Sequence, residues 1–398
     1  MFEQLASLPN DPILGLSAEY AADSNPMKVD LGVGIYKNAA GATPIMAAIS
    51  QAQAQWHEIE ETKAYVSPAG VPGFNESMLH LILGENHSVL QQQRAISVQT
   101  PGGCGALRLA AELIQRSRPE SSVWVSTPTW ANHIPLLGGA GIHLQEYPYY
   151  DGEKHHIDFD GMMAALATAP AGDLVLLHGC CHNPSGADLT QSQWRDIAAL
   201  LGERGLIPFV DIAYQGLGDG LDEDAWGLRY LAEQLPEVII ASSCSKNFGL
   251  YRERVGAVIV VTAASATADT CKGQLNNIAR GLYSMPPSHG AALVNIILTT
   301  PSLNQQWRDE VSTMRQRIWQ LRTDLVAKLQ RSVAGNQFDF IASEKGMFSF
   351  LGITPEQVQQ LKRDFSIYMV NSSRINVAGL NQQNSDYLVE GLLAVINK

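Results

Sequence analysis

Two residues near the ends of apolar runs are of types that could do covalent chemistry. Lys246 stands in Ser243-Cys244-Ser245-Lys246-Asn247-Phe248-Gly249, directly after the run 238–242. Asp211 stands near the end of the run 207–212, followed by Ala213 and Tyr214. A lysine forms Schiff bases when its amine can lose a proton near neutral pH. A closed pocket and nearby positive charge both depress its pKa enough for that. A pyridine ring that is to accept carbanion electrons needs a carboxylate at its nitrogen, to keep that nitrogen protonated. Taken singly, a lysine after a strand is usually a solvated surface residue, and an aspartate at a strand end is usually a helix cap. Together at one rim of a sheet they would be a catalytic pair.

The middle of the chain supplies such a rim. Runs 123–127, 174–177, 207–212, 238–242 and 255–261 predict strands, and helical patterns such as 106–115 and 194–201 lie between most of them. This alternation predicts an α/β fold, a mostly parallel sheet between helices. Sheets of this kind bind ligands where the carboxyl ends of their strands converge. The last two runs are too close for a crossover helix, so one of that pair is expected to run antiparallel. Beyond Pro301 the pattern becomes one long helix, 303–331, with Met314, Ile318, Leu321, Leu325 and Leu329 at helical spacing. Short strands and two further helices follow, which predicts a smaller α+β domain joined by the segment 29–37. The expected division is an N-terminal arm over 1–11, a small domain over 12–44 and 311–398, and a large domain over 45–310.

Bulk properties narrow the function classes. With 398 residues, 45% hydrophobic and 17% charged, the chain is of ordinary folded composition. A formal net charge of −12 and no Lys/Arg run argue against a nucleic-acid partner. The start, Met1-Phe2-Glu3-Gln4-Leu5, reads as no leader peptide, and no apolar run approaches the roughly 20 residues of a membrane span. Five cysteines, two of them adjacent at 180 and 181, make no disulfide framework, so a cytoplasmic location is expected.

Four ordered segments carry a resemblance. Ser242-Ser243-Cys244-Ser245-Lys246-Asn247-Phe248-Gly249-Leu250-Tyr251, continuing through Glu253-Arg254-Val255-Gly256, resembles the Schiff-base lysine motif of the aspartate and aromatic aminotransferases. His182-Asn183-Pro184-Ser185-Gly186 resembles their His-Asn-Pro-Thr-Gly signature. Asp211-Ile212-Ala213-Tyr214-Gln215-Gly216 resembles Asp-x-Ala-Tyr-Gln-Gly, and Ser373-Arg374-Ile375-Asn376-Val377-Ala378-Gly379 the C-terminal arginine motif. The similarity runs from near Asp11-Pro12-Ile13-Leu14 almost to the end. It implies the pyridoxal-phosphate fold of aspartate aminotransferases with its seven-stranded type of sheet, a homodimer with shared active sites, and transamination in two half-reactions through pyridoxamine phosphate.

The resemblance also implies roles for single residues. Lys246 would hold the cofactor and shuttle the proton, and Asp211 would pair with the ring nitrogen. Tyr214 and Asn183 would hydrogen-bond the phenolic oxygen, and Trp130 would stack on the ring, although without the family context it reads as a core aromatic. Gly102-Gly103-Cys104-Gly105 precedes the predicted helix, so backbone N–H groups there can face an anion. Ser243, Ser245 and Arg254 would complete a phosphate cradle, with Tyr65 from the other subunit. Arg374 resembles the clamp for a substrate α-carboxylate. Arg280 resembles the arginine for a distal carboxylate, which in this family comes from the other subunit, as does the residue matching Ser284. Gly34 and Phe348 would line the substrate pocket with Trp130 and Asn183.

Two arginines suit a dicarboxylic amino acid, so aspartate or glutamate is the expected donor, with 2-oxoglutarate or oxaloacetate as partner acids. An aromatic amino acid aminotransferase of the same family is the alternative. Three departures stand out: Cys104 where the family usually has a hydroxyl residue, Leu282 where asparagine is common, and Ser373 where glycine is usual. A thiol is a weak donor, so Cys104 puts one phosphate bond in question. An inactive aminotransferase-fold binding protein is the rival of a different class, but such a chain would be expected to have lost the lysine, the aspartate or an arginine clamp. No dinucleotide fingerprint, Walker lysine or Gly-x-Ser-x-Gly occurs. His178-Gly179-Cys180-Cys181-His182 has metal-ligand types. No metal is expected there, because alternate residues of a strand point to opposite faces.

Overall fold

The computed structural model describes residues 2–7, 12–332 and 336–396. The chain divides into two compact units, one of Met1–Thr43, Ile318–Ser343 and Met347–Lys398, the other of Pro44–Arg317 and Glu344–Gly346. Of the expected arm, residues 1 and 8–11, with Asp11 of the similar segment, lie outside the described residues.

The larger unit is built on seven strands in the spatial order Ala95–Pro101, Val255–Val261, Val238–Ser243, Ile207–Ile212, Leu174–His178, Ser122–Thr127 and His143–Pro148. Val255–Val261 is antiparallel to both neighbours, and the other neighbouring pairs are parallel. The expected mostly parallel sheet with one reversed strand is therefore present. Register aligns His178 with Asp211, and Ile212 with Ser242, so the chemistry-bearing residues collect at one rim.

The helix Gly102–Ser117 begins four residues before the expected 106, directly at the end of the first strand. Its opening glycines are poor helix formers, each costing about 0.5–1 kcal/mol against alanine. Leu107, Leu109, Leu113 and Ile114 are buried in the same core cluster as Val98, Ala241, Val258 and Val260. Burying side chains of that size contributes about 1.5–3 kcal/mol each. Packing therefore decides, and it holds a glycine-rich helix start against the sheet rim.

The smaller unit has its own apolar cluster, including Leu31, Leu325, Leu329, Ile341, Leu361, Ile375 and Leu392. Val29–Asp30 pairs in parallel with Ile367–Tyr368, and Phe348–Phe350 pairs antiparallel with Arg374–Asn376. Asn376 Nδ2 donates to Val33 O at 2.7 Å and Ile35 O at 2.8 Å, which ties the N-terminal segment to the C-terminal strands. The long helix runs Pro301–Ser332.

Candidate active site

Asp211 lies at the end of Ile207–Ile212, and its Oδ2 is 2.9 Å from Nε2 of the fully buried His133. His133 Nδ1 lies 2.8 Å from Thr129 Oγ1, which is also 3.2 Å from His178 Nε2. The backbone N–H of Asn183 donates to His178 Nδ1 at 3.5 Å. One assignment of protons satisfies every link: Asn183 donates to His178, His178 to Thr129, Thr129 to His133, and His133 to Asp211. Burial, and then the unfavourable company of the His133 ring, push the His178 imidazole down to about 3, so it stays neutral and suits that assignment. Burial pushes the Asp211 carboxyl up, but the His133 hydrogen bond first, then the electrostatic influence of the neighbouring imidazoles and of Lys246, outweigh it. The net position is below the usual carboxylate value, so Asp211 is held ionised.

Lys246 Nζ sits 4.7 Å from the centre of the Tyr214 ring. Burial lowers its pKa, opposed by Asp211 and Cys104 and assisted by Arg254, and the balance is downward. Tyr214 and Asn183 are both buried. Trp130 packs edge-on against His133 with ring centres 5.2 Å apart.

The helix start forms a second wall. Gly102 has φ +71°, and a Cβ there would lie 2.3 Å from Arg254 Nη2, so only glycine lets the guanidinium approach. A Cβ on Gly103 would meet Ser243 Cβ at 3.1 Å. Ser243 Oγ and Ser245 Oγ are 3.1 Å apart and buried. Arg254 Nη1 donates to Tyr251 O at 2.9 Å. Cys104, third in the helix, is partly exposed, and Asn132 Nδ2 is 3.9 Å from its sulfur. Backbone donors, hydroxyls and a guanidinium thus converge on one small space, which is an anion-binding arrangement.

Two further expected residues of the larger unit, Tyr65 and Arg280, are exposed. Tyr65 is 90% exposed. Arg280, on the helix Ser265–Leu282, is exposed and donates to Ser284 Oγ, beside Leu282, which is 45% exposed. Arg374, Gly34 and Phe348 belong to the smaller unit. There the Arg374 guanidinium lies 4.3 Å from the centre of the Phe348 ring and donates to Gly32 O at 2.8 Å. A Cβ on Gly34 would be 2.6 Å from Phe348 Cζ, so this ring needs glycine beside it. The buried Arg322 donates to Phe348 O and, at 2.8 Å, to Ser349 Oγ.

His133, Thr129 and Arg322 were not singled out by sequence. No spacing signal marks Thr129 and His133, because Thr129 lies ahead of the helix His133–Gly138 and the two meet only in the folded chain. The expected alternation of strand faces does not hold across the His-Cys cluster. The strand ends at His178 and Cys181 has φ +50°, so face alternation does not reach the cysteines. The sulfurs of Cys180 and Cys181 and a carboxylate oxygen of Asp224 lie within 4.8 Å of one another. That carboxylate already accepts from the backbone N–H groups of Gly216, Gly218, Asp219 and Gly220. His182 instead contacts Ser126 Oγ at 3.1 Å and Ser185 Oγ at 2.8 Å.

Comparison with known proteins adds to this geometry. The profile of the family described as aminotransferase class I and II matches residues 26–392. The chain is 46% identical over 396 residues to the aspartate aminotransferase of Haemophilus influenzae, covering 100% of both chains. It is 47% identical over 385 residues to the aromatic-amino-acid aminotransferase of Paracoccus denitrificans, covering 97% of each. Among solved structures, the aromatic-amino-acid aminotransferase of Burkholderia pseudomallei, covalently bound to pyridoxal phosphate, superposes with a TM-score of 0.97 at 39% identity. That match covers 100% of this chain and 99% of the other.

Proposed function

We propose, from the premise that this chain belongs to the class I and II aminotransferase family and is an aminotransferase, that it exchanges the amino group of aspartate or glutamate with a 2-oxo acid by means of pyridoxal phosphate. One observation carries the reading: a lysine amine of lowered pKa faces a tyrosine ring beside a carboxylate kept ionised by a buried imidazole. The residues fit that cofactor. Arg254 against Gly102, with Ser243 and Ser245, suits its phosphate, and ionised Asp211 suits a ring nitrogen that must keep its proton.

When bound, pyridoxal phosphate supplies an aldehyde and an electron-accepting ring. Lys246 holds it and, when released, moves a proton at the substrate's α-carbon. The lowered pKa leaves more of the amine neutral and able to accept that proton. Asp211 keeps its charge toward the ring nitrogen through His133. Tyr214 and Asn183 hydrogen-bond the ring oxygen, and Trp130 covers the ring face. Gly102, Gly103, Cys104, Ser243, Ser245 and Arg254 hold the phosphate, together with Tyr65 of the partner subunit. Arg374 takes the α-carboxylate, while Gly34 and Phe348 shape the space beside it. The exposed Arg280 takes the distal carboxylate in a partner subunit of a cytoplasmic homodimer. The division into a cofactor-holding domain, 45–310, and a smaller one, 12–44 with 311–398, is part of the same proposal.

The aromatic reading rests on a relative of near-equal identity, the Paracoccus denitrificans enzyme. Specificity constants for aspartate, tyrosine and phenylalanine separate the two. For the reaction, the purified protein is expected to show a pH-dependent visible band that vanishes in Lys246→Ala, with activity falling roughly 10⁴-fold. Parallel double-reciprocal lines are expected, and intersecting lines would contradict an exchange in two separate halves.

A further inference from the structure

Among the described residues, one place brings three His, Cys, Asp or Glu side chains together with ligand atoms within 4.8 Å of one another: Cys180, Cys181 and Asp224, all buried. Strand alternation, the reason to expect no metal there, stops at His178, and the φ of +50° at Cys181 turns the chain. Two neighbouring thiols thereby reach the same carboxylate. The turn is held from outside. Asp188 accepts the N–H of Cys181 at 2.7 Å and that of His182 at 2.9 Å. Gly346 packs so closely that a Cβ on it would lie 2.4 Å from Cys181 Cβ. Asp224 is held as firmly, by the N–H groups of Asp219, Gly216 and Gly218 at 2.7, 2.8 and 2.9 Å. The fourth donor, Gly220, is 3.4 Å from Oδ1, longer than the usual range of about 2.7–3.2 Å, so this carboxylate keeps a lone pair for another partner.

A zinc ion held tetrahedrally, with bonds of about 2.3 Å to sulfur and about 2.0 Å to oxygen, sets its ligand atoms about 3.5–3.8 Å apart. The trio can close on such an ion by small side-chain adjustments. A cavity of about 180 Å³ lies beside it, lined by both Cys180 and Asp224. A water occupies about 30 Å³, so there is room for one as a fourth ligand. Asp188, Asp219 and Glu223 also line that cavity, against one ammonium, Lys345, which pairs with Asp219. The excess of carboxylates favours a cation. We propose that Cys180, Cys181 and Asp224 form a site for a thiophilic divalent cation of the zinc class, with water from the cavity as the fourth ligand. Two thiol protons leave as the ion arrives, so the charge is unchanged and nothing is oxidised. Two sulfurs select against magnesium, which takes oxygen ligands. Nothing in this depends on a cofactor at Lys246.

The test dialyses the reduced full-length protein against a chelator and then titrates it with zinc chloride, cadmium chloride and magnesium chloride in separate runs. Equilibrium dialysis counts bound metal, and ultraviolet absorbance follows the cadmium–thiolate band. One zinc or cadmium ion per chain is expected, and no magnesium. Cys180→Ser and Cys181→Ser should each abolish the cadmium band, Asp224→Asn should weaken binding at least tenfold, and Cys271→Ser should change nothing. Should those variants fail to fold, X-ray absorption at the metal edge of the unaltered chain counts sulfur neighbours directly, and two are expected. No saturable uptake of zinc or cadmium would overturn the proposal, as would a count of one sulfur or none. Binding that survives both cysteine substitutions would overturn it too. Equal uptake of magnesium would reassign the cavity to its carboxylates alone and so defeat the thiol site.

Discussion

The wall around Asp211 and the surface around Arg280 are built in opposite ways. At Asp211 every polar group is tied to another, through His133, Thr129 and His178 to the backbone of Asn183. At Arg280 the side chain is exposed, held by Ser284 next to an exposed Leu282, and Tyr65 is 90% exposed. A group that must keep one protonation state needs a rigid, water-poor frame. A group that selects among substrates gains from being supplied by a second surface. On the proposed roles, one chain preorganises the cofactor side and leaves the selective side open.

The largest expected effect separating the two regions comes from Arg280→Val. A charge-assisted pair contributes about 1.5–3 kcal/mol, so kcat/KM for aspartate should fall about 10- to 100-fold while that for phenylalanine changes little. Equal losses on both substrates would remove the selective role. His133→Phe should act in the other region. It removes the main influence lowering the Asp211 pKa and leaves burial, which raises it, opposed only by His178 and Lys246. The acid limb of the activity profile should therefore move to higher pH, and cofactor affinity should fall about tenfold, as for the loss of one pair worth about 1.5 kcal/mol. An unmoved limb would mean that Asp211 does not need the imidazole. Thr129→Val cuts the chain one link further out. Its cost should be about 1 kcal/mol, or a few-fold in cofactor affinity measured by titration. A larger loss than for His133→Phe would show that the hydroxyl acts by another route.

Most of the sheet could be read from the sequence because its central strands are continuous apolar runs. The two strands that went unread show why the rest could not. Ala95–Pro101 is largely buried but carries Ser97, Gln99 and Thr100, whose side chains find partners at Asn75, Val71, Pro287 and Gly102. His143–Pro148 is an edge strand with mostly exposed or half-exposed residues, so it shows no apolar signature. The helix start hid behind its glycines. Lys246 and Asp211 were legible as types at strand ends, and Arg254 through the motif that surrounds Lys246, whereas His133 acts only through a contact made by folding. Ser373 is a further case. Its φ of +63° accounts for the glycine usual there, and its hydroxyl accepts the N–H of Gly352 at 3.1 Å.

The reversed strand Val255–Val261 has one more consequence. Because it runs against its neighbours, its beginning lies at the rim where theirs end, and Arg254 arrives beside Lys246 after only the stretch 247–253. A crossover helix would have put the guanidinium's strand start at the far edge. On the proposed roles of Lys246 and Arg254, the hairpin works as a short tether that keeps the covalent anchor and the anion anchor in step. Lengthening that tether should uncouple them while leaving each residue in place.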